Sequence, residues 1–151
     1  MPRDTREPQE ILAHITRARV ALTTVMYGLS EADLLKSGAV GSWSVKDIMA
    51  HVGRWETVCF DVLEDHLRGQ QPAEDYSQAT IFNNRWEAEL QSLSLPEAID
   101  LFETAHHRLF GLLSSLRSEQ WNGYIRAWVT GSTWHHYEEH AEQIRSWRGS
   151  R

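Results

Sequence analysis

Two histidines four residues apart, His136 and His140 in Thr133-Trp134-His135-His136-Tyr137-Glu138-Glu139-His140, have the spacing of a metal-gripping pair. On a helix both rings stack on one face, roughly 6 Å apart along the axis and about 40° around it. Neutral imidazole binds borderline divalent ions. Three protein ligands with open positions for water or substrate describe a catalytic rather than a structural site. A third ligand is therefore needed. His51 is one candidate, beside the apolar stripe of a long helical segment, and His106 is another, next to Ala105 and Leu109. Periodicity leaves both open. His14, His66 and His107 lie at helix ends or off the stripes, and His135 lies about 140° around the helix from His140. In a chain with eight histidines the plain alternative is two half-exposed helix histidines with no ion between them.

The elements that must carry these rings follow from the helical period. Ile11, Ile15, Ala18, Leu22, Val25 and Leu29 recur at steps of three and four, predicting a first long helix that ends near Gly28. Ser30 with Asp33 offers a cap for a short turn before the loop residues 36–42. Ser44-Val45-Lys46-Asp47 reads as the start of a second long helix. Its stripe, Ile48, Val52, Trp55, Cys59, Val62 and His66, runs until Gly69-Gln70-Gln71-Pro72. Residues 81–90 have helical composition with weak periodicity and are assigned a shorter helix. Ser94-Leu95-Pro96-Glu97 combines a cap, a proline and a capping-box glutamate ahead of Phe102, Ala105, Leu109, Leu113 and Leu116. A third long helix from about Pro96 to Leu116 is predicted. Loops are expected around Trp121-Asn122-Gly123 and Thr130-Gly131-Ser132, with Tyr124 to Val129 a candidate short strand. The last helix carries Trp134, Tyr137, His140, Ala141, Ile144 and Trp147. Four long helices make an all-α four-helix bundle, an architecture that builds metal sites from facing helices.

Bulk properties narrow the function classes. A chain of 151 residues, 41% of them hydrophobic, can form one domain with one core, so residues 1–151 are read as a single domain. Lysines and arginines number 15 against 21 acids, giving net charge −6 without a basic run, so nucleic acid is not an expected partner. Short apolar runs and a charged N-terminus predict no membrane span and a soluble, cytoplasmic protein. The single cysteine, Cys59, forms no intrachain disulfide and fits a reducing compartment.

The segment Gly41-Ser42-Trp43-Ser44-Val45-Lys46-Asp47-Ile48-Met49-Ala50-His51-Val52-Gly53-Arg54-Trp55-Glu56 resembles the second-helix opening of the DinB/YfiT-like superfamily. His136 to Trp147 is similar to that superfamily's fourth-helix pattern of His-x-x-x-His, isoleucine and tryptophan. Ile81-Phe82-Asn83-Asn84 and the Ser94-Leu95-Pro96-Glu97 helix start resemble a branch that includes the ClbS-like resistance proteins. The resemblance implies a bundle of up-down-down-up type, commonly a homodimer. It also implies a divalent metal ion, nickel or zinc foremost and iron or copper as alternatives, on three histidines. Carried over by position, those ligands are His51, His136 and His140.

Such a site activates either a low-molecular-weight thiol, for S-transfer or isomerisation, or water, for hydrolysis of a small-molecule substrate. Thiol transfer is placed slightly ahead. Trp43, Trp55, Tyr76, Phe82 and Asn83 or Asn84 are the expected pocket walls, with core packing the competing role for the tryptophans. Glu56, Glu138 and Glu139 are weighed as a base or as supports of a ligand histidine, against the simpler reading of solvated helix faces. Asp47 is read as a cap-region acid and Cys59 as a buried, inert thiol. The alternative function is a metal-free, ClbS-like or ligand-sequestering stress or resistance protein.

Overall fold

A computed structural model describes residues 4–150. Seven α-helices are present among them: α1 Pro8–Met26, α2 Glu31–Leu35, α3 Val45–Leu67, α4 Ala79–Gln91, α5 Leu95–Ser115, α6 Gly123–Ser132 and α7 Trp134–Ser150. Local chemistry sets most of their starts. Ser30, Ser44 and Ser94 each accept the N–H of the residue three positions on, and Asp33, Asp47 and Glu97 reach back to the cap N–H, closing three capping boxes. Asn122 caps α6 by accepting from the Ile125 N–H. α1 ends at Tyr27, and Gly28 takes φ +82, a conformation that glycine adopts without strain. Its last carbonyls are held from outside, because the Arg148 guanidinium donates to Val25 O at 3.0 Å and Tyr27 O at 2.6 Å.

Contacts along the chain fix the helix directions. α1 and α7 run parallel, with His14 against Glu138 at their starts and Tyr27 against Arg148 at their ends. α3 and α5 are also parallel, since Lys46 reaches Leu93 O, Gly53 meets Leu101 and Arg108 lies over Phe60. α3 runs against α6 and α7, pairing His51 with His140, Cys59 with Trp128 and His66 with Asn122. The long helices α1, α3, α5 and α7 therefore form the expected up-down-down-up bundle. Gly53 permits a close approach of α3 to α5: a Cβ there would lie 2.8 Å from Leu101 Cγ and 2.9 Å from Leu101 O.

The main core joins Ile11, Ile15 and Leu22 of α1 to Ile48 and Leu63 of α3, Leu109 of α5 and Ile144 of α7. A second apolar cluster fills the angle between α3, α4 and α5 with Trp55, Val62, Phe82, Trp86, Leu90 and Ala98. α4 buries only Phe82, Trp86 and Leu90, one side chain per turn, which is why its sequence shows weak periodicity.

Two expectations need correction at the C-terminal end. Tyr124 to Val129 is not a strand but lies within α6, where Ile125 and Val129, four apart, point into the core. Gly131 and Ser132 do not break that helix. The break comes at Thr133, with φ −121 and ψ −107, and it re-aims the chain so that α7 starts at once. No helix among the described residues is long and apolar enough to cross a membrane.

Candidate metal centre

α3 and α7 bring three imidazoles to one point. His51 Nε2 lies 3.0 Å from His136 Nε2, and His140 Nε2 lies 2.9 Å from the same atom. All three potential ligand atoms fall within 4.8 Å of one another. Two nitrogens bound to one ion at about 2.1 Å each are separated by about 3.0–3.4 Å for angles from right to tetrahedral, so the spacing suits a shared ion.

Proton placement also favours a cation. His140 Nδ1 lies 2.7 Å from Gln143 Oε1, which puts the ring proton on Nδ1 and turns the Nε2 lone pair towards His136. His136 Nε2 then faces two nitrogens with at most one hydrogen. One of the two contacts is left as opposed lone pairs or opposed N–H groups, whereas a divalent ion accepts all three lone pairs together. The other ring nitrogen of His136, Nδ1, is buried without a hydrogen-bond partner.

Burial keeps the ligands unprotonated. Desolvation, with the neighbouring His140 second, pushes His51 down to about 3, and the same cause holds His136 well below the ordinary histidine value. His140 is also lowered by burial, although its bond to Gln143 and the nearby Glu139 charge pull the other way. Neutral imidazole is the ligating form, so the triad is poised to bind at neutral pH without first losing protons.

Behind α7, a buried polar cluster holds the helix in register. Glu56 is fully buried and accepts from the Tyr137 hydroxyl and, at 3.3 Å, from Arg19 Nη1. Arg19 also donates to Phe102 O at 2.8 Å and lies over the Phe102 ring. Burial and then the Glu56 charge push the Tyr137 phenol well above its usual value, so it remains a donor. Because its one hydrogen goes to Glu56, His106 Nδ1, 2.9 Å from the Tyr137 oxygen, must be the donor in that contact. His106 is thus placed in this cluster and not at the triad.

A pocket of about 990 Å³ opens beside the triad, and His51, His136 and His140 form part of its wall. Trp43, Trp55, Tyr76 and Asn83 line it too. The Trp43 ring lies 4.9 Å from the His51 ring, and its Nε1 donates to Glu87 at 3.0 Å. Trp55 Nε1 donates to Asn83 Oδ1 at 2.8 Å, so these two expected wall residues orient each other. Phe82 lies behind that surface, buried against Trp55 and Trp86. Asn84 is exposed and outside the pocket, because one helical step beyond Asn83 turns a side chain by about 100°.

The three glutamates separate into different environments. Glu56 is in the core rather than on a solvated face. Glu138 is exposed and pairs with His14 at 2.9 Å, and Glu139 is exposed at the pocket wall. Cys59 is buried, and desolvation pushes its thiol up to about 12. Gln143 and Trp128 are site residues that the sequence reading did not single out. The position of Gln143, three residues after a candidate ligand on the same helix face, was the available signal for the first. Trp128 had none, because its segment offered no more than a candidate short strand.

Solved structures share the fold of this chain. A solved structure named Sibling Lethal Factor Precursor, DfsB, is similar with TM-score 0.79 at 17% identity, covering 97% of this chain and 98% of that one. A protein from Streptococcus pneumoniae matches with TM-score 0.80 at 15% identity over 99% and 94% of the two chains. The colibactin self-resistance protein ClbS, solved in complex with a dsDNA, gives TM-score 0.79 at 8% identity over 94% and 95%. These likenesses are of fold. No curated protein matches the sequence. The family model described as the DinB superfamily matches residues 14–144, and the chain belongs to that superfamily.

Proposed function

We propose that this protein is a metal-dependent enzyme of the DinB superfamily, with one divalent ion held by His51, His136 and His140. The convergence of three Nε2 atoms, from two buried histidines and one half-buried one, carries the reading. An ion held there supplies a lowered pKa for a thiol or water that it binds, giving a nucleophile near neutral pH. The chain's own contributions are positional. Gln143 fixes the His140 tautomer, Trp43 backs His51, and the Trp55–Asn83 pair offers an apolar face and a polar edge to a small molecule in the pocket. Activation of a low-molecular-weight thiol for S-transfer stands ahead of water activation, and imidazole ligands suit nickel or zinc, with iron or copper as alternatives.

The substrate is read as a small molecule. ClbS was solved in complex with a dsDNA, but the net charge of −6 here gives a phosphate backbone no counterpart. The same reading makes the protein a cytoplasmic homodimer, to be checked by light scattering on the full chain.

Elemental mass spectrometry tests the centre. About one nickel or zinc ion per chain, lost in both His51→Ala and His136→Ala, supports it. A wild-type protein that holds no ion and refuses added nickel and zinc overturns it. Thiol conjugation to an electrophile should then disappear in His136→Ala. A second reading, metal-free ligand sequestration, draws on the size and aromatic walls of the pocket. It predicts that His136→Ala still binds apolar ligands in the presence of a chelator.

A further inference from the structure

The triad has one adjustable distance. His136 and His140 share α7, so the 2.9 Å between their Nε2 atoms is set within one helical turn. The 3.0 Å between His51 and His136 spans two helices, and it depends on how α7 docks on α3. A slide or rotation of α7 would carry both of its rings past His51 together. Ligands hold an ion well only when they stay within about 0.5 Å of the productive geometry.

The Tyr137 hydroxyl, which donates to Glu56, ties those same two helices together. Both ends of the bond lie close to ligands. Tyr137 directly follows His136, and Glu56 comes five residues after His51, roughly 7 Å further along α3. α1 and α5 are joined at the same level, because Arg19 reaches Glu56 at 3.3 Å and Phe102 O at 2.8 Å, and His106 donates to the Tyr137 oxygen at 2.9 Å. Arg19, Glu56 and Tyr137 are all buried. Apolar residues of similar volume would stabilise a core at least as well as a buried charge set, so what such a set adds is one defined arrangement. None of Arg19, Glu56, His106 and Tyr137 lines the pocket. Their influence on the site therefore runs through where they hold the backbones.

We infer that Glu56 and Tyr137 are positioning residues of the metal centre, whose bond fixes α7 against α3 and so sets the affinity and coordination geometry of the ion. This rests on the proposed reading of the triad and deepens it by naming what holds the third ligand at its distance.

The test titrates the metal-free full chain with cobalt(II), whose d–d absorption reports coordination geometry, with circular dichroism to confirm that each variant is folded. Tyr137→Phe keeps the ring and removes the bond, and it should bind cobalt at least about tenfold more weakly than the wild type, with a shifted d–d band. Glu56→Asp keeps the charge but withdraws it by one methylene; it should behave the same way, and it stands in if the tyrosine variant does not fold. Glu56→Gln retains an acceptor at the same reach and should stay within about threefold of the wild type. Leu113→Ala opens a cavity at the end of α5 away from the triad, and it should leave cobalt affinity and spectrum unchanged although it destabilises the fold. Wild-type affinity and spectrum in Tyr137→Phe, an equal loss in Leu113→Ala, or a Glu56→Gln chain as weak as Tyr137→Phe would each overturn the inference while leaving the metal reading intact. A wild-type chain that takes up no cobalt, nickel or zinc overturns both.

Discussion

Tyr137→Phe removes one hydroxyl and no packing volume, and it tests whether the buried cluster behind the triad stabilises the bundle. Glu56 is 0% exposed, and its accepted contacts are the Tyr137 hydroxyl and Arg19 Nη1 at 3.3 Å, both on Oε1. Oε2 has no hydrogen bond, and His106 Nδ1 is 3.7 Å from it. The tyrosine therefore supplies the shorter of two contacts to a desolvated carboxylate, and its loss leaves that charge on one long ion pair. Hydrogen bonds to buried charged groups contribute about 1.5–3 kcal/mol, so the variant should lose about 2 kcal/mol. For a chain of this length that corresponds to a fall in Tm of roughly 4–8 °C. Urea unfolding of the metal-free protein measures it directly. A double-mutant cycle with Glu56→Gln should give a coupling of at least about 1 kcal/mol, because each substitution removes the same charge-assisted bond. A loss below about 0.5 kcal/mol, or additive effects in the cycle, would refute the assignment of that bond as a stabilising element.

Gly53→Ala gains about 1 kcal/mol in helix propensity but drives a methyl group into the Leu101 backbone, an overpacking cost of about 1–3 kcal/mol. A net destabilisation of about 1 kcal/mol in denaturant midpoint is expected, and a stabilised variant would show that α3 and α5 separate without cost. Acidification should destabilise the metal-free protein through the triad. His51 is lowered from 6.5 to about 3 in the folded state, so the unfolded chain binds the extra proton, and stability is lost as pH falls from 6.5 towards 3. His51 alone accounts for about 1 kcal/mol between pH 7 and 5.5, and His51→Phe should flatten that part of the pH profile. Cys59, with its thiol pushed up to about 12, should resist thiol reagents at pH 8 until the bundle opens. Its labelling rate in native conditions should follow urea as unfolding does, and rapid labelling without denaturant would contradict its burial.

What was legible in the sequence was what neighbouring residues decide. The boxes at Ser44 and Ser94 need only a residue three positions away, and both helix starts follow from them. The His136–His140 pair is likewise one helical turn, and His51 came from a resemblance rather than from periodicity. Longer-range partnerships stayed hidden. Glu56 has the composition of a surface position, and it is buried because Arg19, 37 residues earlier, and Tyr137, 81 residues later, meet it in the core. Tyr124 to Val129 carries β-branched and aromatic residues that score as strand. Ile125 and Val129 find the core at helical spacing, and tertiary packing overrides propensity there.

His51 and His136 stand 85 positions apart in the chain, and α7, which holds the second, comes last in order among the described helices. An unfolded or half-made chain has the i,i+4 pair at most, never the complete set. Any ion that needs all three rings therefore discriminates the closed bundle from every earlier state. By mass action it adds about 2.7 kcal/mol to the folded state at a free concentration one hundred times its Kd. Metal supply would then govern how long the protein survives in a cell, and depletion would show first as faster turnover of the polypeptide.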